Sequence, residues 1–204
     1  MSESSPSSIT SSGGIAPVSE GDEVHVYIKA ALLRLGLDPD SEHFKDTPGR
    51  VERMLESFCH YREENLAEIL KAGFEETQDN IMVVQLKIPF SGLCAHHLLP
   101  FWGSASVGYL PRRRVVGLSK LTRLVSAAGR VEPSTQEHIT NLIANTLFDA
   151  LEPIGVGVVT SAVHGCMAVR GVNAPQTVTQ VNALRGQMLL NPQARQEFMQ
   201  AVRE

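Results

Sequence analysis

The segment at positions 94–101, CAHHLLPF, places three residues that commonly bind transition metals within four positions. Neighbouring residues on a strand point to opposite faces, so only one of His96 and His97 is expected to reach a shared metal. Cys94 and His97 can meet across a tight loop, and a thiolate with an imidazole is a typical zinc pair. Such a segment on its own occurs more often by chance than as a metal site, so its meaning depends on a third ligand.

Cys166, in the segment VHGCM, is the candidate for that third ligand because it ends a strand-like pattern. The remaining cysteine, Cys59, falls on a predicted helix and is interpreted as a buried or half-buried thiol. The sequence therefore predicts a zinc site formed by Cys94, His97 and Cys166.

Two further histidines accompany these ligands. His164 precedes Cys166 by two residues and is expected on the same strand face, beside the metal, although a single such pair on an apolar strand belongs more often to the core. Three protein ligands are typical of catalytic zinc, whereas structural zinc has four. We therefore interpret His96 and His164 as candidates for proton transfer near a water whose pKa zinc lowers to about 7.

The composition is that of a soluble globular chain. It has 204 residues, of which 43% are hydrophobic and 20% charged, and we expect one domain. A net charge of -4 argues against nucleic-acid binding, and the basic segment PRRRVV is interpreted as a solvated hairpin edge. There is no apolar run long enough to cross a membrane and no signal-peptide pattern, and three cysteines favour a reducing cytoplasm over disulfides.

The chain is predicted to have three regions. Residues 1–20 are rich in Ser, Gly and Pro and are predicted to be a disordered tail. Residues 21–80 form an N-terminal helical region, with one helix ending near Gly36 and a second starting at Thr47. Residues 81–204 form the catalytic core.

Within the core the hydrophobic period indicates both strands and helices. We predict a strand over 81–88, a hairpin over 104–118, helices over 119–130 and 135–151, a strand-rich run over 155–171 and a helix after Asn191. Ser119 is predicted to cap the first of these core helices. This order predicts an α+β fold with an antiparallel sheet.

Two helix starts carry groups that suit a nucleotide. Ser119, Lys120 and Arg123 lie at the start of one predicted helix, where backbone N–H groups and cations favour a phosphate. Gln136 and Glu137 lie at the start of the next. Each pattern alone is more typical of an ordinary solvated helix start than of a binding site.

Five segments in this order resemble the GTP cyclohydrolase I family over roughly residues 21–204. These are DTPGR (46–50), CAHHLLPF (94–101), GLSKLTR (117–123), TQEHIT (135–140) and HGCMAVRGV (164–172). The resemblance implies a tunnelling fold, an antiparallel sheet with helices on one side. It also implies a homo-oligomer, a decamer of two stacked pentamers with active sites between subunits.

The resemblance also implies roles for residues. Positions matching Cys94, His97 and Cys166 hold zinc in the family, and those matching His96 and His164 transfer protons. The position of Glu137, helped by Gln136, anchors the guanine. The remaining matched positions hold the triphosphate: Ser119, Lys120, Arg123, Arg170 and Arg50. The family reaction hydrolyses GTP at C8, releases formate, and rearranges the ribose to give 7,8-dihydroneopterin triphosphate.

Two departures from the family pattern stand near the site. Ala95 replaces the usual Glu between the cysteine and the first histidine, and the stretch before Gln136 is altered, with His138 in place of the usual Arg. A lost carboxylate can shift a histidine pKa or leave a ligand less well oriented. This favours a specialised paralogue as the alternative, one that stops at a ring-opened intermediate or uses a modified guanine nucleotide.

The same motifs could also belong to a non-catalytic nucleotide-binding subunit or to a nitrile reductase of the same fold. The retention of three metal ligands and two histidines argues against a non-catalytic subunit. The ligand and phosphate-binding sets argue against a nitrile reductase.

Overall fold

The computed structural model of the protein describes residues 24–75 and 81–203, so the predicted tail over 1–20 lies outside the described residues. The chain divides into two compact units, one up to Met54 and one from Leu55 onward. The proposed division into a helical region, 21–80, and a core, 81–204, stays a prediction. None of the helices within the described ranges combines the length and apolar composition that a bilayer span requires.

Both predicted N-terminal helices are present in the structure. Helix α1 spans Val24–Arg34 and ends as expected, with Gly36 at a φ of +77°, a left-handed conformation that glycine adopts without penalty. Helix α2 spans Thr47–Ser57 and starts at the predicted residue. Because α2 ends at Ser57, Cys59 lies beyond it and is exposed, so the expectation of a buried or half-buried thiol on the helix is wrong.

The larger unit is built on a four-stranded antiparallel sheet in the order β2-β3-β5-β6. The strands are β2 Val83–Leu93, β3 Pro100–Leu110, β5 Gly155–His164 and β6 Thr179–Gly186. Two short strands, β1 Gly73–Glu75 and β4 Arg114–Val116, form a separate pair. The predicted α+β fold with an antiparallel sheet is confirmed.

The helices of this unit connect the strands. They comprise a 3₁₀ helix at Glu63–Leu70, α3 Leu118–Ala128, α4 Gln136–Leu151, a single turn α5 Gly165–Ala168, α6 Gln187–Leu190 and α7 Pro192–Arg203. Helix α7 begins where Asn191 predicted it, and the Asn191 Oδ1 accepts a hydrogen bond from the Gln193 N–H at 2.9 Å. The apolar faces of α3 and α4, which include Leu124 and Ile143, are buried.

One face of the sheet packs against α3, α4 and the 3₁₀ helix to form the main core. Alternate residues of β3, including Phe101 and Tyr109, point into this core, as the two-residue period of a strand requires. The Tyr109 hydroxyl accepts a hydrogen bond from the Val116 N–H at 3.2 Å, which satisfies a polar atom inside the core.

The opposite face carries a smaller layer that the sequence did not predict. Phe198 of α7 is fully buried and packs with Val159 and Met188. Its ring lies against two glycines, because a Cβ on Gly108 or Gly157 would stand 2.7 Å or 2.5 Å from a ring carbon. Because glycine has no side chain, these two positions leave space for the Phe198 ring.

The hairpin predicted over 104–118 is wrong in its second strand. β4 pairs with β1, with Val115 opposite Phe74, and does not pair with β3. Both edges of β3 are already occupied by β2 and β5, so no backbone groups remain for β4. The segment PRRRVV therefore crosses away from the main sheet, and the Arg112 Nε donates to the Glu152 carbonyl at 3.4 Å.

We predict that Phe198→Ala destabilises the fold by about 3 kcal/mol or more, because it leaves a ring-sized cavity between α7 and the sheet. The free energy of unfolding from denaturant titration is the measurement. Gln196→Ala, on the exposed side of α7, is the matched control and should change it by less than about 0.5 kcal/mol. Equal effects of the two substitutions would contradict the packing described here.

Candidate metal centre

The structure brings the three sequence-predicted ligands together. The Cys94 and Cys166 sulfurs and a ring nitrogen of His97 all lie within 4.8 Å of one another. Cys94 is buried, Cys166 is half-buried and His97 is exposed, so the cluster opens to the surface on one side. This group of three could hold a metal ion.

A tight turn after β2 brings His97 back to Cys94. The Leu98 N–H donates to the Cys94 carbonyl at 2.8 Å, and the Cys94 N–H donates to the Leu99 carbonyl at 2.9 Å. Leu98 adopts a φ of +50°, a left-handed conformation that is unfavourable for a side chain of this size and stores strain in the loop. The predicted meeting of the two ligands across a loop is confirmed.

Cys166 reaches the cluster by a different route from the predicted one. Strand β5 ends at His164, and Cys166 lies on the one-turn helix α5, so the expectation that both residues share one strand face is wrong. The chain turns because Gly165 comes very close to β3, where an added Cβ would stand 2.7 Å from the Pro100 carbonyl oxygen. This close approach carries Cys166 to Cys94.

Residues 94–99 form a loop, here called the metal loop, and the segment before α4 is hydrogen-bonded to its start. The Ser134 N–H donates to the Leu93 carbonyl at 2.8 Å, and the Ala95 N–H donates to the Ser134 carbonyl at 3.1 Å. Cys94 and Ser134 form an isolated parallel bridge. Sequence reasoning missed Ser134 because backbone pairing between distant segments leaves no mark in residue type. The two departures from the family pattern are therefore neighbours in space.

His96 and His164 differ in exposure and in their contacts. His96 is exposed, and its Nδ1 is 3.9 Å from the Cys94 sulfur. His164 is half-buried, stacks on the Phe101 ring with centroids 4.8 Å apart, and its Nε2 lies 2.8 Å from the Gln136 Oε1. Burial lowers the pKa of His164, while the nearby Glu137 carboxylate opposes that shift.

Gln136 and Glu137 differ in exposure although they are adjacent at the start of α4. Gln136 is 1% exposed, and its side-chain amide is hydrogen-bonded to residues of β5 and β6. Glu137 is exposed, and the helix starts with Thr135, whose Oγ1 accepts a hydrogen bond from the His138 N–H at 3.2 Å. A carboxylate in this first turn is favoured by the helix dipole.

The residues predicted to bind phosphate lie at the start of α3. Ser119 lies inside the helix and does not cap it, because the N-cap is Gly117 and no side chain bonds there. Lys120 is half-buried and Arg123 is exposed. Within the described residues neither cation has a carboxylate within salt-bridge distance, which leaves both free to meet an anion.

The other two predicted phosphate-binding arginines lie in different units. Arg170 follows α5, where its charge only partly offsets the rise in the Cys166 thiol pKa that burial and Cys94 cause. Arg50 belongs to the N-terminal unit, where its guanidinium pairs with Asp46 at 3.0 Å.

The donor set fits zinc, whose usual protein ligands are cysteine and histidine. Burial raises the pKa of the Cys166 thiol, and the adjacent Cys94 raises it further through charge repulsion and a hydrogen bond. A bound cation would offset this opposition to the ionisation of Cys166, because a metal favours the thiolate form. Three protein ligands match the number found in catalytic zinc sites.

The fold and the site define a class of protein, an α+β chain whose antiparallel sheet supports a Cys/His/Cys metal centre. The family model for GTP cyclohydrolase I matches residues 24–203. The chain belongs to the GTP cyclohydrolase I family, which has the tunnelling fold.

Curated relatives agree with this assignment. The chain is 40% identical over 185 residues to GTP cyclohydrolase 1 of Sulfurihydrogenibium sp. (strain YO3AOP1), covering 91% of this chain and 96% of that protein. It is 42% identical over 183 residues to GTP cyclohydrolase 1 of Aquifex aeolicus (strain VF5), covering 89% and 96%. The crystal structure of the archaeosine synthase QueF-Like in the apo form matches 53% of this chain and 97% of that one, at 18% identity and a TM-score of 0.42. The family assignment does not depend on that likeness.

We predict that Gly165→Ala weakens zinc binding by about tenfold or more, because the added methyl group pushes α5 and Cys166 away from β3. Competition with a chromophoric chelator measures the affinity. Gly117→Ala is the control, since a Cβ there meets no atom within 4 Å. Unchanged affinity in the Gly165 variant would show that the close approach does not position the ligand.

Proposed function

We propose that this protein is a zinc-dependent enzyme that converts GTP to 7,8-dihydroneopterin triphosphate and formate. The observation that carries the proposal is the meeting of Cys94, His97 and Cys166 within 4.8 Å in a chain of this family. When bound, zinc supplies Lewis-acid activation of water, whose pKa it lowers to about 7. The chain's other residues bind the nucleotide and move protons.

The start of α3 is proposed to hold the triphosphate. Ser119, Lys120 and Arg123 lie within its first two turns, where backbone N–H groups and the helix dipole favour an anion. Arg170 beside Cys166 adds a cation next to the metal centre. Arg50, the remaining predicted cation, is proposed as a phosphate-binding residue on the family resemblance alone.

The exposed carboxylate of Glu137 is proposed to anchor the guanine, because it can accept two hydrogen bonds from the amino group and ring N–H of that base. His96 and His164 are proposed to transfer protons. His96 is exposed and can exchange protons with solvent, whereas His164 is half-buried and hydrogen-bonded to Gln136.

A homo-oligomer, specifically a decamer with active sites between subunits, is proposed on the family resemblance. Within the described residues β2 and β6 are the outer strands of the main sheet, and such edges pair readily with another chain. A cytoplasmic location is proposed because the thiolate ligands must stay reduced to bind metal.

We predict that the purified, zinc-loaded protein converts GTP to a product that becomes fluorescent on oxidation, and that Cys166→Ser abolishes the signal. Loss of a thiolate removes one of three ligands, so zinc content falls together with turnover. Cys59→Ser is the matched control, because that cysteine is exposed and lies outside the ligand group. Pterin formation that persists in the Cys166 variant would show that the reaction does not require the metal.

Mass spectrometry of the same reaction separates the full conversion from a partial reaction and from binding alone. Equal amounts of formate and dihydroneopterin triphosphate support the full reaction. A ring-opened formamide that accumulates would instead support the specialised paralogue suggested by Ala95. Binding of GTP in calorimetry without any product over hours would support a non-catalytic subunit.

We also predict that Arg123→Ala raises KM for GTP by roughly tenfold with a smaller effect on kcat, because a charged hydrogen bond to phosphate is lost. Steady-state kinetics at low salt is the measurement. Ser126→Ala, exposed on the same helix, is the control and should leave both constants unchanged. A fall in kcat with unchanged KM would argue against phosphate binding by this residue.

A further inference from the structure

A chain of buried polar side chains connects α4 to His164. Gln136 and Thr140 on α4 and Thr160 on β5 are each at most 1% exposed, although they lie within an otherwise apolar core. Buried polar groups are costly unless each finds a partner, so the direction of every hydrogen bond here is informative. Of these three residues, only Gln136 was predicted from the sequence to belong to the site.

The amide of Gln136 has one allowed orientation. Its Nε2 lies 3.1 Å from the Thr160 carbonyl oxygen, 3.1 Å from the Thr179 carbonyl oxygen and 2.9 Å from the Thr160 Oγ1. Backbone carbonyls can only accept, so the nitrogen must face them. The Oε1 therefore faces His164, and this end of the amide can only accept.

The two threonine hydroxyls fix the same direction independently. The Thr140 hydroxyl donates to the Gln136 carbonyl at 2.6 Å, which uses its only hydrogen. The Thr160 hydroxyl, 2.7 Å from Thr140, must then donate to Thr140, and it accepts from the Gln136 amide. This closed set of bonds leaves no freedom for the amide to rotate by 180°.

The consequence falls on His164. Because the Gln136 Oε1 can only accept, the ring nitrogen 2.8 Å away, Nε2, must carry a hydrogen. In the neutral ring the lone pair is then on Nδ1, which is the nitrogen left to take a proton. Stacking on Phe101, with ring planes 14° apart, fixes the plane of the imidazole.

We propose that Gln136 is a positioning residue that sets the tautomer and orientation of His164, and that Thr140 and Thr160 lock its amide for this purpose. This inference rests on the proposed function of His164 in proton transfer. It replaces the role in guanine binding that the family resemblance implied for Gln136. Both ends of the amide are already bonded within the protein, and Glu137 remains the exposed group for the base.

Two kinds of variant test the proposal. Gln136→Met keeps the length of the side chain but removes the acceptor for the His164 Nε2–H. Thr160→Val removes the hydroxyl that locks the amide, and Thr160→Ser restores it. Val158→Ala makes a cavity on the same strand and the same core face, and serves as a control for a purely structural loss.

The first measurement is ¹⁵N NMR of the histidine rings in the zinc-loaded protein, with His164 assigned from the spectrum of a His164→Asn variant. We expect the neutral form of the His164 ring to carry its hydrogen on Nε2 in the wild type, in Thr160→Ser and in Val158→Ala. We expect a population protonated at Nδ1 in Gln136→Met and, to a smaller extent, in Thr160→Val. An unchanged Nε2–H tautomer in Gln136→Met would overturn the proposal.

The second measurement is steady-state kinetics with GTP. We expect Gln136→Met to lower kcat by roughly tenfold or more with KM within about twofold, since a misoriented base loses part of its contribution. Thr160→Val should lower kcat less, and Thr160→Ser should recover it. A tenfold rise in KM with kcat unchanged would assign Gln136 to guanine binding and overturn the proposal.

The two measurements also separate this inference from the proposed function. A wild-type protein that makes no pterin would refute the proposed reaction, whereas the NMR experiment needs no substrate and still decides whether Gln136 sets the tautomer. An active wild type with kinetically silent Gln136 and Thr160 variants would refute the positioning role alone.

Discussion

The register between β3 and β5 is the constraint on which the candidate site depends. Phe101 lies opposite His164, so the first residues of β3 meet the last residues of β5 at one end of the sheet. The metal loop precedes β3 and α5 follows β5, and this pairing therefore brings Cys166 to Cys94. A slip of one residue would turn His164 to the opposite face, away from Gln136. Sheet pairing, rather than ligand spacing, unites the two halves of the centre.

Local sequence signals predicted the parts of the fold that depend on local physics. The predicted helix starts at Thr47 and Asn191 were confirmed, and so was the meeting of Cys94 and His97 across a tight turn. Capping and tight turns involve residues that are near neighbours in the sequence. The strand that pairs with β4 and the path by which Cys166 reaches the metal centre were not predicted correctly. Both depend on which backbone groups are already occupied and on how closely Gly165 approaches β3, and residue type does not encode either.

The two departures from the family pattern form one structural feature. Ala95 has no side chain beyond its methyl group, and its backbone is bonded to Ser134 in the altered stretch before α4. Ser134 in turn holds Leu93, the last residue of β2, so the altered stretch supports the backbone of the metal loop. A carboxylate lost at position 95 leaves this loop held by backbone bonds. Changes at one of these positions should therefore be interpreted together with the other.

The buried network under β5 shows how this fold combines stability with a directional arrangement. An apolar side chain at Gln136 would avoid the cost of burying an amide, since replacing a whole polar group by a well-packed apolar one is often neutral or stabilising. A satisfied network has a property that an apolar core lacks, because its donors and acceptors can be matched in only one direction along the chain of bonds. The carbonyls of Thr160 and Thr179 impose that direction, and they belong to β5 and β6. The sheet thereby determines which nitrogen of His164 carries the hydrogen.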